Sequence, residues 1–175
     1  MAGVKTLADG RIALVALTTK PVNLSAPTLA EITAGKHLEC QIMKSDYKLG
    51  STGSSTVPEQ EMCKKGEGNA PGPASFEGVL TVFRYLDPAT GKPAAGGKDD
   101  YAWEMLKTAG TPLWLVEREG PEADVAFASG DEVAVYEVLT GHPTKPDDRF
   151  SGYIKRTVAM FVQDADEDAT VAAGA

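Results

Sequence analysis

The segment Phe76 to Leu86, FEGVLTVFRYL, limits the possible folds more than any other part of the chain. In an extended strand successive side chains point to opposite sides. Leu80 and Val82 then share one face, and Val79, Phe83 and Tyr85 share the other. A strand apolar on both faces has to be covered on both, by its own fold or by a neighbouring subunit. Ile12 to Thr18, IALVALT, is a second near-continuous apolar run of strand length. Further strands are predicted over Leu113 to Glu117, Glu132 to Thr140 and Tyr153 to Val162. Helical signals are few. Ser25 to Ile32 reads as a short helix with Ser25 as cap and Gly35 at its exit. Asp99 to Ala109 is the best helix: Tyr101, Ala102, Met105, Leu106 and Ala109 share a face, and Gly110 ends it. Strands that do not alternate with helices exclude βαβ repeats. The fold class is mainly β, an antiparallel β-sandwich or barrel with one flanking α-helix.

Between the first two apolar runs, Lys36 to Met43 alternates, with Leu38, Cys40 and Ile42 on one side and His37, Glu39 and Gln41 on the other. This predicts a half-buried strand. Ser45 to Ser55 is rich in turn formers, and Thr56 to Cys63 reads as a returning edge strand interrupted by Pro58. Lys36 to Cys63 is therefore expected to be a long hairpin with its tip near Ser51 and Thr52, followed by an irregular connector over Gly66 to Pro73. From Lys44 to Ser55 the only large apolar side chains are Tyr47 and Leu49. So polar a segment buries too little within one subunit to offset a backbone ordering cost of ~1–2 kcal/mol per residue. It is expected to be mobile alone and to order against a neighbour, with Tyr47 and Leu49 as the assembly-interface anchors. The acidic run Asp164 to Asp168 predicts a mobile tail, giving one domain over 1–163 and a tail over 164–175.

A chain of 175 residues fits a single domain and needs no disulfide or metal to hold a core. No apolar run approaches the ~18 residues of a membrane span, and the start lacks a signal peptide's apolar stretch. A protein kept in a cytoplasm is the expectation, and the Asn23-Leu24-Ser25 sequon then has no glycosylation meaning. The net charge of −8 repels phosphate and disfavours gripping nucleic acid.

Signals for chemistry are missing. Gly96-Gly97-Lys98-Asp99 lacks phosphate-loop spacing, and Gly66, Gly68 and Gly72 do not make a dinucleotide fingerprint. His37 and His142 stand alone, without the partners of a zinc site. Asp99-Asp100 reads as a helix start rather than a catalytic carboxylate pair. Trp103 lies off its helix's apolar face, and Trp114 is assigned to the core. Cys40 and Cys63 fall near enough in the expected hairpin for a cross-strand disulfide, although a reducing cytoplasm favours free thiols. The expectation is no catalytic residue, no cofactor, no metal and no enzyme.

The order of several segments resembles the tail tube proteins of siphophages, the long non-contractile-tailed bacteriophages, especially those infecting actinobacteria. An opening strand leads to Ser25 to Gly35 and then Leu38-Glu39-Cys40. The loop with Gly53 to Val57 and Cys63 follows, then Glu77 to Arg84 and the helix after Asp99-Asp100-Tyr101. Ser129 to Val133 and Gly152 to Lys155 close the series. The resemblance spans nearly the whole chain and carries no catalytic residue across. It implies a β subunit with a flanking helix, assembling as hexameric rings that stack into a tube in the virion tail. Assembly would take place in the host cytoplasm. Tape measure, tail terminator and distal tail proteins are the implied partners, with no membrane partner. DNA would pass through the lumen without specific binding, an acidic wall repelling its phosphates. Two other readings fit the same features: a different ring-forming virion protein, such as a tail terminator or head–tail connector, and a small-molecule-binding β-barrel.

Overall fold

Lys155–Thr170 is a strand that takes part in two ladders. Its first part pairs with Gly68–Phe83, from Phe83↔Lys155 to Val79↔Ala159. Its later part pairs with Glu132–Thr140, from Thr140↔Met160 to Glu132↔Thr170. The structure is a computed structural model and describes residues 5–59, 62–63, 68–94 and 98–173. In chain order its elements are β1 (Ile12–Leu17), α1 (Leu29–Thr33), β2 (Lys36–His37), β3 (Lys48–Glu59), β4 (Gly68–Phe83), α2 (Tyr101–Leu106), β5 (Pro112–Glu119), β6 (Glu132–Thr140) and β7 (Lys155–Thr170). The seven strands are ordered β2-β1-β5-β6-β7-β4-β3, and every ladder is antiparallel. The mainly β, antiparallel class expected from periodicity is therefore what the chain adopts.

The sheet curls on itself. Leu38 N–H donates to Leu14 O of β1 at 2.8 Å, and Met43 N–H donates to Thr81 O of β4 at 2.8 Å. The few residues between them span at most ~18 Å, so these two strands, four places apart in the order, are brought close across one core. That core collects Leu14, Leu80, Val82, Leu115, Val138 and Val158, and Ala102 and Leu106 of α2 pack into it. Burying a side chain such as Leu80 contributes roughly 1.5–3 kcal/mol. The alternate residues of the same strands build a second core on the opposite face. Ala13, Val15, Leu17, Val116 and Val135 lie there, closed by Ile32 of α1 and by Phe127 from the β5–β6 loop. Both faces of β1 and β5 are thus covered, which explains their unbroken apolar runs.

Thr28 caps α1, not Ser25. Its hydroxyl accepts from Glu31 N–H, and the Glu31 carboxylate accepts from Thr28 N–H at 2.8 Å. The carboxylate also accepts from Val22 N–H at 2.9 Å, and the bonds from Thr28 and Val22 N–H lower the Glu31 pKa from its ordinary value. α2 is shorter than the expected Asp99 to Ala109 and begins at Tyr101.

Four expectations are corrected. Lys36 to Met43 is a strand only at Lys36–His37. It then becomes 3-10 turns at Glu39–Gln41 and Lys44–Asp46, and Cys40 is exposed while Gln41 is buried. The cause is local. Gln41 Nε2 donates to Asp99 O at 2.8 Å and its Oε1 accepts from Ala102 N–H, so Gln41 ties the start of α2. The hairpin is β3 with β4, paired from Lys48↔Val79 to Glu59↔Gly68. Ser51 and Thr52, expected at the tip, lie well inside β3, and the expected connector from Gly68 onward is β4. Finally, Asp164 to Asp168, expected in a mobile tail, continue β7, because β6 offers a full-length partner strand. Ala169 and Val171 beyond them are buried.

Candidate functional site

The feature that sets this chain apart from an ordinary curled sheet is a two-stranded arm. β4 pairs with β7 only over Val79–Phe83. From Gly78 back to Gly68, and from Leu49 to Glu59, β3 and β4 have only each other. The eleven-residue rise from Val79 to Gly68 is roughly 36 Å long at ~3.3 Å per residue, and its part beyond Phe76, which still packs on the first core, is roughly 26 Å. Ser51 to Val57 are all exposed, as are Ala70, Pro71 and Pro73 to Ser75. Gly53, with φ of +124°, stands at one of two breaks in register, where other residues would be strained. Thr52 Oγ1 donates to Ser75 O at 3.0 Å, a side-chain tie across the ribbon. The arm still has no apolar core of its own, and a lone two-stranded ribbon is marginally stable at best in water. Met62 and Cys63, past the end of β3, are exposed.

A cluster of carboxylates and phenols fastens the arm's root. Glu167 of β7 accepts from Ser51 N–H at 2.8 Å and from Tyr136 Oη at 3.0 Å. The Tyr47 hydroxyl donates to the Glu117 carboxylate of β5. Burial, then the charges of Glu119 and Glu167, push the Glu117 carboxyl up to about 7. Burial and the Glu167 bond also raise the Tyr136 hydroxyl above its ordinary value. Gly78 marks where β4 leaves β7, since a Cβ there would lie 2.7 Å from Met160 Cβ.

Tyr47 and Leu49, the expected interface anchors, sit at this root. Both pack against the first core of their own subunit. The exposed surface lies farther out on the arm, and on the body at Phe150, Tyr153, Ile154 and Phe161. Of these, Tyr153 stacks edge-on against Phe83 at 5.9 Å.

Beside the root, under the stretch Ala8 to Gly10, is a cavity of about 260 Å³. Ile12, Leu14 and Ile42 make its apolar wall, and Cys40, Lys44 and Tyr47 also line it. Small-molecule sites commonly run to ~300–1,000 Å³, so this one is smaller than most.

Two of the buried charges, Asp100 and Arg118, were not anticipated from sequence. Asp100 is buried and paired with Arg84 at 2.9 Å, while its other oxygen accepts from Tyr85 N–H at 3.1 Å. The Arg84 guanidinium also lies 4.5 Å above the Trp103 ring, so Trp103 is half-buried, not free. Arg118 is buried on β5, where it bonds Asp131 at 3.0 Å and the carbonyls of Glu122, Val125 and Ala126. It thereby shapes the β5–β6 loop. The one available signal was a charged pair, Glu117-Arg118, ending an apolar strand. Trp114 is buried in the second core, as assigned. His37 lies 3.1 Å from Glu39, and His142 is exposed in its turn. Cys40 and Cys63 are free and exposed. Among the described residues no cluster of His, Cys, Asp or Glu is arranged to hold a metal, and no helix is long and apolar enough to cross a membrane.

A curled antiparallel sheet that projects a polar arm is the architecture the comparison with known families puts a name to. The family model of the phage tail tube protein matches residues 1–175. The chain belongs to that family. No curated protein matches it. Membership in the tail tube family gives a structural component of the virion tail, working within a multi-subunit assembly. It points away from catalysis and toward surfaces as the functional parts.

Proposed function

We propose that this chain polymerises as stacked hexameric rings into the tail tube, the conduit through which DNA is ejected into the host. The observation that carries the reading is the arm. A ribbon of this length with both faces exposed gains little from its own subunit, and burial against neighbours supplies what it lacks. In this reading Tyr47 and Leu49 anchor the arm at its base and bring its outer part to the next ring or protomer. Assembly in the host cytoplasm would end with the tail terminator and distal tail proteins at the two ends and the tape measure protein inside. The net charge of −8 supports a lumen wall that repels phosphate, so that DNA slides without specific binding.

Negative-stain microscopy of the concentrated protein tests the reading directly. Tubes of stacked rings are expected; single rings that never stack would favour a terminator or connector instead. A second variant isolates the arm: replacing Ser54 to Ala74 with an Asn-Gly turn leaves Ser51 and Phe76 in place. The body should keep its circular dichroism and melting temperature yet form no tubes. Normal tubes from the shortened chain would remove the arm from assembly.

A further inference from the structure

We infer that the cavity beside β1 is the socket for the tip of a second copy's arm, with Met62 as the side chain that enters it. The inference rests on the stacking reading above and adds the place of contact. Three observations bring socket and tip together. The cavity is lined by Tyr47, the residue immediately before β3, so it lies at the arm's root. The tip lies at the far end of the same arm, past Glu59 and Gly68, the last pair of the ladder. Met62 there is an unbranched apolar side chain, fully exposed among the described residues. A flexible thioether suits an irregular apolar hole such as that between Ile12, Leu14 and Ile42. The cavity's 260 Å³ suits a side chain better than a metabolite.

The relative direction of the copies decides the kind of polymer. Antiparallel copies, each with its tip in the other's socket, would close as a pair. Copies pointing the same way, as stacked rings require, make a heterologous contact that repeats by translation without end. Copies related this way are displaced along the arm by about its own length, on the order of 36 Å. The axial spacing of the polymer is therefore set by the number of residues in β3 and β4.

The chain carries its own reporters, because its two cysteines are Cys40 in the socket's wall and Cys63 beside Met62. The assembled full-length protein is treated with a short bis-maleimide and run under denaturing conditions. A ladder of linked multimers is expected, and either Cys40→Ser or Cys63→Ser should abolish it. Met62→Glu, at an exposed site, should leave the melting curve unchanged. It should cut linked product by about tenfold or more, since its carboxylate would be desolvated beside the carboxylate of Glu39, while Lys44 in the same lining is already paired with Asp9. Wild-type tubes that give no ladder, or a linkage that survives Cys40→Ser, would overturn the socket while the tube reading stands. Met62→Glu tubes that link like wild type would overturn it too. Failure of the wild-type chain to form any polymer overturns both.

Discussion

The body and the arm are made of the same secondary structure and held by different physics. In the body, β1 and β5 are apolar on two faces and buried on both, and the buried Asp100 carboxylate is paired with Arg84. In the arm, the ladder alone persists, with polar and small side chains exposed on both sides. Backbone pairing is thus enough to give a strand its direction, but only side-chain burial gives it stability. The body is therefore a finished subunit, and the arm is a strand pair whose burial has to come from elsewhere.

The largest effect that would sharpen this contrast is expected at Asp100. Asp100→Ala leaves the largely buried Arg84 cation without its partner, which costs up to roughly 3–5 kcal/mol. Urea unfolding should show a midpoint lowered to match, with the slope unchanged. A loss below about 1 kcal/mol would show that water reaches Arg84 and that the body is looser than its burial implies.

Next in size is the pH dependence carried by Glu117. Its folded value, raised to about 7, exceeds the ordinary 4.5, so the folded state holds more protons than the unfolded one between those limits. Stability should therefore be fullest below about pH 4.5 as far as this group is concerned. It should fall as pH rises through the window, and level off above about 7. The loss is at most about 3 kcal/mol at 1.36 kcal/mol per pH unit. Glu117→Gln keeps an acceptor for the Tyr47 hydroxyl and removes the charge. Thermal melts from pH 4 to 8 should show the decline in wild type and a flatter profile in the variant. Parallel profiles would refute the assignment.

The smallest effect is expected in the arm. Thr56→Ala, at an exposed position, should change the unfolding free energy by no more than about 0.5 kcal/mol. A substantially larger loss in the isolated subunit would break the comparison, since it would mean that the arm is part of the cooperative unit.

The boundary between body and arm is also the boundary of what could be read from sequence. Glu132–Thr140 was expected and is found with the same ends, because Val133, Val135 and Val138 carry the burial signal in the chain itself. The arm reads as turn, edge strand and connector because Ser, Gly, Thr and Pro dominate it. Its register is set by backbone pairing, which leaves no apolar period to detect. The second half of β7 was missed for the same reason: Asp164, Asp166 and Asp168 are strand residues only because β6 runs beside them. The alternation at Leu38, Cys40 and Ile42 misled in the other direction. Leu38 and Ile42 are buried as that pattern requires, but they cross between two edges of the sheet instead of forming a strand. The root cluster was only half visible. Tyr47 stood out as a large side chain in a polar stretch, while Glu117 and Glu167 join it through pairings far apart in the chain.

β4 runs unbroken from the arm into the body, and that continuity has a mechanical side. Tension applied to the arm along its length enters the β4–β7 ladder parallel to the strands, so the five residue pairs from Val79↔Ala159 to Phe83↔Lys155 are sheared together. A peeling force would break them one after another, each at a low threshold. The arm is thus mounted as a tie rod: a pull along it loads the subunit in the direction in which its hydrogen bonds share the strain.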